Sequence, residues 1–163
     1  MSNKTPKNNV EETALVPKPK TVGTVFLLIL LAGAVLFLTK ILFTFLSDKH
    51  VLLNNQKIDV TVVSTPKERE RGLSGWNRLG EKQGMLFVFN DSGTYCMWMK
   101  DMKFAIDMVW LDGDKKVTNI KQNATPESYP EPFCNKDDAK YVLELPEGSV
   151  SKYGIKSGNQ AIF

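Results

Sequence analysis

The sequence predicts a mainly-β protein, an antiparallel sandwich or partly closed barrel with one or two short helices, preceded by a single transmembrane helix. Three observations predict this class. One long apolar run occupies residues 22–46, short β-branched and aromatic runs recur through residues 51–163, and Gly, Asn, Asp or Pro separate those runs. Short strands divided by turn residues are typical of sandwiches and barrels.

The first twenty residues differ in composition from everything that follows. Residues 1–20 are rich in Lys, Asn, Pro and Thr and have almost no large apolar side chains. Such a segment cannot bury enough apolar surface to offset the entropy of ordering it. We interpret residues 1–20 as a disordered cytoplasmic tail.

The apolar run is long enough for a membrane span. It is interrupted only by Lys40 and three threonines between Val22 and Leu46. As a helix, the stretch from Val22 to Thr39 is about 27 Å long, close to the hydrocarbon thickness of a bilayer. A cleaved secretory signal has a shorter apolar stretch and a small-residue cleavage site. We therefore predict an uncleaved signal anchor, a transmembrane helix over residues 21–46.

The charges beside this segment predict its orientation. Lys18 and Lys20 precede it, and residues 47–50 form a short linker after it. Because positively charged flanks remain on the cytoplasmic side, the N-terminus is expected in the cytoplasm. The prediction is a single-pass cell membrane protein whose β domain, residues 51–163, is extracytoplasmic.

The first elements of the β domain have clear local signals. Residues 51–53 and 57–63 are apolar and β-branched and flank Asn54-Asn55-Gln56, which predicts a hairpin. Thr65-Pro66-Lys67-Glu68 then has the capping-box pattern, with proline at the first helical position. A short helix is expected from Pro66 to about Leu73.

The remaining elements are mostly short strands separated by turn residues. Asp112-Gly113-Asp114 is a hairpin signal between two of them. A Pro-rich loop is expected from Thr125 to Cys134, and a short helix over residues 147–153. The predicted strands are residues 85–89, 95–100, 106–111, 116–120, 141–145 and 160–163.

Several ordered blocks of this domain resemble a known family. The blocks are Arg71-Gly72-Leu73, residues 84–89 (GMLFVF), Trp98-Met99-Lys100, Ile106-Asp107-Met108, and residues 141–145 (YVLEL) with Gly148 behind them. In order and spacing they resemble domain of unknown function 192, over about residues 51–163. The resemblance implies a mainly-β domain, often exported or membrane-anchored, without an established biochemical activity.

Composition excludes several classes of function. Residues 47–163 hold 16 basic and 16 acidic side chains, so no basic surface is expected for nucleic acid. The one histidine, His50, lies in the predicted linker, and no G-x-S-x-G motif is present, which argues against a nucleophilic hydrolase. The sequence predicts no cofactor, no zinc site and no nucleic-acid partner.

The segment from residue 94 to residue 110 is rich in sulfur. Cys96, Met97, Met99 and Met102 are soft ligands that suit Cu(I) outside the cytoplasm. On a strand, however, Met97 and Met99 point to the face opposite Cys96, so the sulfurs do not converge. Core packing is the favoured interpretation of these methionines, and we also assign Trp98 and Trp110 to the core.

Charged residues within the family-like blocks are the candidate binding residues. Asp101, Asp107 and Glu144 interrupt apolar runs, where a charge is costly to bury without a partner. Arg71 and Lys100 are the available cations. We expect at least two of Arg71, Lys100, Asp107 and Glu144 to meet in one salt-bridged cluster, which either stabilises the sheet or lines a cleft for a small ligand.

The two cysteines and the domain's predicted location complete the functional prediction. Thiols outside the cytoplasm tend to be oxidised, so we predict a Cys96–Cys134 disulfide. The favoured function is a binding or interaction module of the cell envelope, with an unknown ligand or protein partner. The alternatives are a carboxylate-dependent enzyme acting on envelope saccharide and, less favoured, a Met/Cys copper-binding protein.

Overall fold

The structure is a computed structural model that describes the backbone of residues 21–45 and 49–163 and the side chains of residues 25–39 and 49–163. The chain divides into two compact units between residues 46 and 47. The tail predicted for residues 1–20, and the first two residues of the linker predicted for 47–50, lie outside the described residues.

The described part of the first unit is one helix, α1 (Thr21–Phe45). Its described side chains are mainly apolar and are exposed. Within it, the Thr39 hydroxyl donates a hydrogen bond to the Leu36 carbonyl oxygen at 3.0 Å. In the described part of the chain, no helix combines the length and the apolar character that crossing a membrane requires. The membrane anchor therefore stays a prediction.

The second unit is mainly β. Its α-helices are α2 (Pro66–Arg71) and α3 (Ser149–Tyr153), and a 3₁₀ turn spans Pro126–Ser128. Its strands are β1 (His50–Leu53), β2 (Gln56–Val63), β3 (Gln83–Gly93), β4 (Cys96–Met97), β5 (Ile106–Leu111), β6 (Val117–Ala124), β7 (Phe133–Cys134), β8 (Ala139–Pro146) and β9 (Ala161–Ile162).

Seven of the strands described in residues 49–163 form one sheet, in the order β6-β5-β8-β3-β2-β1-β9, and β4 pairs with β7 separately. The two edges of the large sheet approach each other at one corner. Lys116 and Gln160 form a β-bridge there, and the Ala161 N–H donates to the Lys115 carbonyl oxygen at 2.9 Å. The sheet is therefore curled into a half-barrel, which confirms the partly closed barrel rather than the sandwich.

One pair of neighbouring strands departs from the expected antiparallel arrangement. β2 and β3 are parallel, with Val60 opposite Gly84. Parallel neighbours cannot be joined by a tight turn and need a long crossover connection. Residues 64–82, which include α2, provide that connection. The expectation of an antiparallel sheet is wrong for this pair and correct for the other pairs of the sheet.

Both faces of the sheet are buried along β5, whereas only one face is buried along most of β2. All six residues of β5 are buried, and side chains alternate between the two faces along a strand. Val109 and Leu111 belong to the inner apolar cluster of the half-barrel. Met108 and Trp110 belong to a second cluster on the outer face, together with Leu73 from the crossover connection. The crossover connection and the segment around β4 therefore cover part of the outer face.

The local signals at the start of the domain predict its first elements correctly. Asn54 and Asn55 have φ values of +48° and +61° in the tight turn between β1 and β2. The Thr65 side chain accepts a hydrogen bond from the Glu68 N–H, and the Glu68 carboxylate accepts one from the Thr65 N–H. The helix that begins there ends at Arg71, two residues before the predicted end.

The strand predicted over residues 95–100 is wrong in its length. β4 contains only Cys96 and Met97, because β7 is equally short and no longer partner lies beside it. The chain then turns, with Asp101 at φ +56°. Cys96 lies directly opposite Cys134 in this pair, and the two form the predicted disulfide.

Candidate functional site

A cleft of about 340 Å³ opens on the outer face of the half-barrel. One bank is the end of α2 and the residues that follow it, and the other bank is the segment from β4 to residue 102. The floor comes from β3 and β8. The lining residues are Arg69, Glu70, Arg71, Gly72, Leu73, Ser74, Phe87, Phe89, Cys96, Met97, Trp98, Lys100, Met102 and Glu144.

Hydrogen bonds hold the two banks together at one end of the cleft. The Ser74 hydroxyl donates to the Lys100 carbonyl oxygen at 2.9 Å, and the Gly75 N–H donates to the Asp101 carbonyl oxygen at 3.1 Å. The disulfide anchors the second bank further along the chain, at Cys96. The banks are thus fixed to each other by hydrogen bonds to backbone carbonyl oxygens, and the side chains of Arg71 and Lys100 remain available to a ligand.

Contacts with β3 fix α2 above the floor. The Arg69 guanidinium donates to the Val88 carbonyl oxygen at 3.0 Å and lies 4.9 Å from the centre of the Phe89 ring. Gly72 packs directly on the floor, since a Cβ atom there would lie 3.1 Å from the Phe87 ring. Its φ of +45° also disfavours any side chain. The contacts of Arg69 with Val88 and Phe89 therefore give this residue a structural role.

Glu144 is the polar group at the floor of the cleft. It lies opposite Met85 of β3 and Met108 of β5, and it is only 4% exposed. Its Oε2 atom has no hydrogen-bond partner among the described residues. Burial among apolar neighbours raises the pKa of Glu144 to about 8. The side chain is therefore a neutral carboxylic acid at pH 7 and can donate one hydrogen bond.

The rim of the cleft carries more positive than negative charge. Arg71 and Lys100 are exposed, and within the described residues neither side chain has a hydrogen-bond or ion-pair partner. Glu70 is the exposed acid of the same lining. Trp98, 50% exposed, adds an aromatic face beside these charges. The arrangement combines a buried hydrogen-bond donor, apolar walls and an electropositive entrance.

Residues 49–163 match the DUF192 family, described as an uncharacterized ACR. The chain belongs to the DUF192 family. This DUF192 domain is also similar to a candidate transcription regulator from Sinorhizobium meliloti 1021, with 29% identity and a TM-score of 0.66, over 69% of this chain and 91% of that chain.

A second solved structure, of a protein of unknown function from Novosphingobium aromaticivorans DSM 12444, has 27% identity to this chain and a TM-score of 0.66. The similarity covers 70% of this chain and 84% of that chain. No curated protein matches the chain. The chain thus shares its family and its fold with these proteins.

Three of the five candidate binding residues predicted from the sequence meet in the cleft of the DUF192 domain. They are Arg71, Lys100 and Glu144. The expectation of a salt-bridged cluster is wrong, because among the described residues none of these side chains forms an ion pair with another. The cations are exposed at the rim, whereas the acid is buried at the floor.

The other two candidates lie elsewhere. Asp107 is on the inner face of the sheet, because side chains alternate along β5, and it is completely buried. Its carboxylate accepts hydrogen bonds from the Asn123 N–H at 2.9 Å and the Val150 N–H at 2.8 Å. Asp101 is exposed and does not line the cleft. Asp107 therefore lies on the opposite face of the sheet from Glu144 and takes no part in the expected cluster.

The sulfur atoms of the copper hypothesis are divided among three environments. The Cys96 sulfur is bonded to Cys134 in the disulfide, Met97 and Met102 line the cleft, and Met99 is buried in the outer cluster. The described residues contain no group of three or more His, Cys, Asp or Glu side chains arranged to hold a metal ion. Met97 and Met102 contribute apolar wall to the cleft.

Sequence reasoning missed part of the site. Trp98 was assigned to the core, yet it is half-exposed at the rim, whereas Trp110 is completely buried as expected. The alternation that turns Met97 and Met99 inward turns Trp98 outward, so the pattern of residues 96–99 contains this signal. Phe87 and Glu70 had no comparable signal, because their place in the cleft depends on how the crossover connection folds over β3.

Proposed function

We propose that this DUF192 domain is a ligand-binding module whose binding site is the cleft above Glu144. The buried Oε2 atom of Glu144, which has no hydrogen-bond partner in the part of the chain that the structure describes, carries the proposal. A buried polar atom without a hydrogen-bond partner costs about 1–3 kcal/mol of stability. A ligand that accepts a hydrogen bond from this side chain removes that cost.

The size and lining of the cleft support a small molecule as the ligand. Small-molecule sites usually enclose about 300–1,000 Å³ and combine apolar walls with a few polar groups. The cleft, at about 340 Å³, is at the lower end of that range. Because Asp107 lies on the other face of the sheet, a mechanism that pairs it with Glu144 has no support. Binding is the function that the cleft favours.

A ligand screen with matched variants tests this proposal. The full-length protein in a neutral detergent is screened by thermal shift against saccharides, small metabolites and metal ions, including Cu(I). Ligand at about 100 times its Kd should stabilise the folded protein by about 2.7 kcal/mol. The stabilisation should disappear in Glu144→Met and persist in Glu147→Met, since Glu147 is exposed and outside the cleft. Equal stabilisation of both variants would contradict the proposal.

We also propose that residues 21–46 anchor the module in a membrane with the module on the extracytoplasmic side. In the sequence, residues 22–24 and 40–46, whose side chains the structure does not describe, extend the apolar run. In the structure, the apolar side chains of residues 25–38 are exposed. Exposed apolar surface of this extent marks an interaction with lipid or protein. The Cys96–Cys134 disulfide supports an oxidising compartment.

A reporter fusion tests the anchor separately. Alkaline phosphatase fused after Phe163 should be active in cells, because that enzyme needs the oxidising side of the membrane to form its own disulfides. Deletion of residues 22–46 should abolish the activity. An inactive fusion at normal expression would contradict the proposed orientation and would leave the binding proposal unaffected.

A further inference from the structure

The charges that face the cleft select for an anionic ligand. Arg71 and Lys100 are exposed at the rim without partners among the described residues, and Glu70 is the acid beside them. Arg69 adds a further positive charge, although its guanidinium is held by backbone oxygens of β3 and of the residues before α2. The lining holds the cations Arg69, Arg71 and Lys100 against the acids Glu70 and Glu144, so its net charge is positive whether or not Glu144 is ionised.

The geometry of the rim favours an oxyanion rather than a diffuse negative charge. The Arg71 guanidinium is a planar fork that can hold two oxygens of a carboxylate or phosphate at once, whereas Lys100 supplies a point charge. They project from opposite banks, which hydrogen bonds between Ser74, Gly75 and the chain at residues 100–101 hold together. An oxyanion at the entrance can therefore be contacted from both sides.

The walls below the rim favour an apolar body. Leu73, Phe87 and Met97 are buried, and Met102 is half-buried in the same lining. Trp98 offers a half-exposed aromatic face at the entrance, where a ring of the ligand can stack. Burial of a hydrocarbon or aromatic group against these side chains is favourable. Apart from the indole N–H of Trp98, they have no strong hydrogen-bonding groups.

At the floor, Glu144 requires a complementary acceptor. We propose that the ligand is a small amphipathic oxyanion, with its charged head between Arg71 and Lys100, its apolar body against Phe87 and Met102, and a hydrogen-bond acceptor that faces Glu144. This inference rests on the proposed binding function and names the chemical class of the ligand. The head group is a carboxylate or a phosphate monoester.

Four probes of similar size separate the parts of this inference. Isothermal titration of the full-length protein in a neutral detergent at pH 6.5 compares N-acetylphenylalanine, its uncharged amide, phenethylamine and phenyl phosphate. N-acetylphenylalanine should bind with a Kd of about 1 mM or below. Its amide should bind at least about 10-fold more weakly, because it lacks the charge-assisted pair with Arg71. Phenyl phosphate identifies the preferred head group.

Charge-neutral variants locate the head group. Arg71→Gln and Lys100→Gln should each weaken the binding of N-acetylphenylalanine by about 10-fold and should leave the binding of its amide unchanged. Arg78→Gln is the matched control, because Arg78 is an exposed arginine that does not line the cleft. Equal effects of Arg71→Gln and Arg78→Gln would overturn the inference, as would the failure of both anionic probes to bind.

The same titrations separate this inference from the binding function itself. If phenethylamine or the neutral amide binds more tightly than the anions, and Glu144→Met abolishes that binding, the ligand class is wrong and the binding function holds. If binding of the anions is unchanged in Glu144→Met, both are wrong, because the ligand then occupies another place on the molecule.

Discussion

Glu144 and Asp107 lie on neighbouring strands, are both buried, and meet opposite surroundings because they point to opposite faces of the sheet. Asp107 accepts two backbone hydrogen bonds, one at each carboxylate oxygen. Glu144 lies between methionines and has an oxygen without a partner among the described residues, so its neutral form is favoured. One acid therefore organises the fold, and the other is available to a ligand.

Glu144 should make the stability of the protein depend on pH. Its pKa of about 8 in the folded state lies above the ordinary value of 4.5. At a pH between these two pKa values, Glu144 is therefore protonated in the folded protein and ionised in the unfolded chain. The stability from this group is complete below pH about 4.5 and is lost as the pH rises through 8. We expect a loss on the order of a few kcal/mol by urea unfolding.

The Glu144→Gln variant should lack this decline, because glutamine does not ionise. Glu147→Gln, which alters an exposed residue just after β8, should decline like the wild type. The difference in the free energy of unfolding between wild type and Glu144→Gln should change from pH 5 to pH 8. The same difference at both pH values would contradict a buried neutral acid at residue 144.

Asp107→Asn should destabilise the half-barrel. One Asp107 oxygen accepts from the Val150 N–H at the start of α3, and the other accepts from the Asn123 N–H. Asparagine can satisfy only one of these donors and turns an NH₂ group towards the other. We expect a loss of about 1.5–3 kcal/mol in chemical unfolding. Asp101→Asn, at an exposed residue, is the control and should change stability by less than about 0.5 kcal/mol.

At the scale of the elements, the disulfide fixes the bank of the cleft that contains Trp98. Cys96 and Cys134 are separated by 38 residues and join β4 to β7, each of which is two residues long. Replacing both cysteines with serine removes a constraint on the unfolded chain worth about 3–4 kcal/mol in the chain-entropy model. Unfolding with and without reductant measures this value. A reduced wild type that unfolds at the same urea concentration as the oxidised protein would exclude a stabilising role.

The capping box fixes the other bank, because α2 contains no buried residue and is held by its ends and by Arg69. Thr65→Ala removes the oxygen that accepts a hydrogen bond from the Glu68 N–H. A loss of about 1 kcal/mol is expected. Thr61→Ala is a control at an exposed threonine in β2. Equal thermal unfolding midpoints for the two variants would contradict the role of the cap.

Elements with a local signal could be predicted, and elements that depend on a distant partner could not. The Asn54-Asn55 turn and the Thr65 cap are determined by adjacent residues, and both form as expected. The length of β4 depends on β7, which is about 36 residues further along the chain and only two residues long. The parallel pairing of β2 with β3 depends in the same way on the path of residues 64–82.

At the scale of the whole domain, the outer face of the half-barrel becomes a site because long connections cover it incompletely. β8 and β3 are central strands, and the crossover connection and the β4 segment lie above them. Of the five charged residues that the sequence singles out, Arg71, Lys100 and Glu144 line the cleft, whereas Asp101 and Asp107 do not. The sequence does not predict that these three form no ion pair among the described residues, because ion pairing depends on distances between strands that only the fold sets.

The protonated carboxylic acid at the floor of the cleft can be observed directly at neutral pH. Infrared titration of the full-length protein measures it, with Glu144→Gln as the reference that lacks the group. We expect a protonated-carboxyl band that is present at pH 6, disappears with a midpoint near the pKa of about 8, and is absent from the variant. A midpoint near 4.5, the ordinary value for a glutamate, would contradict it.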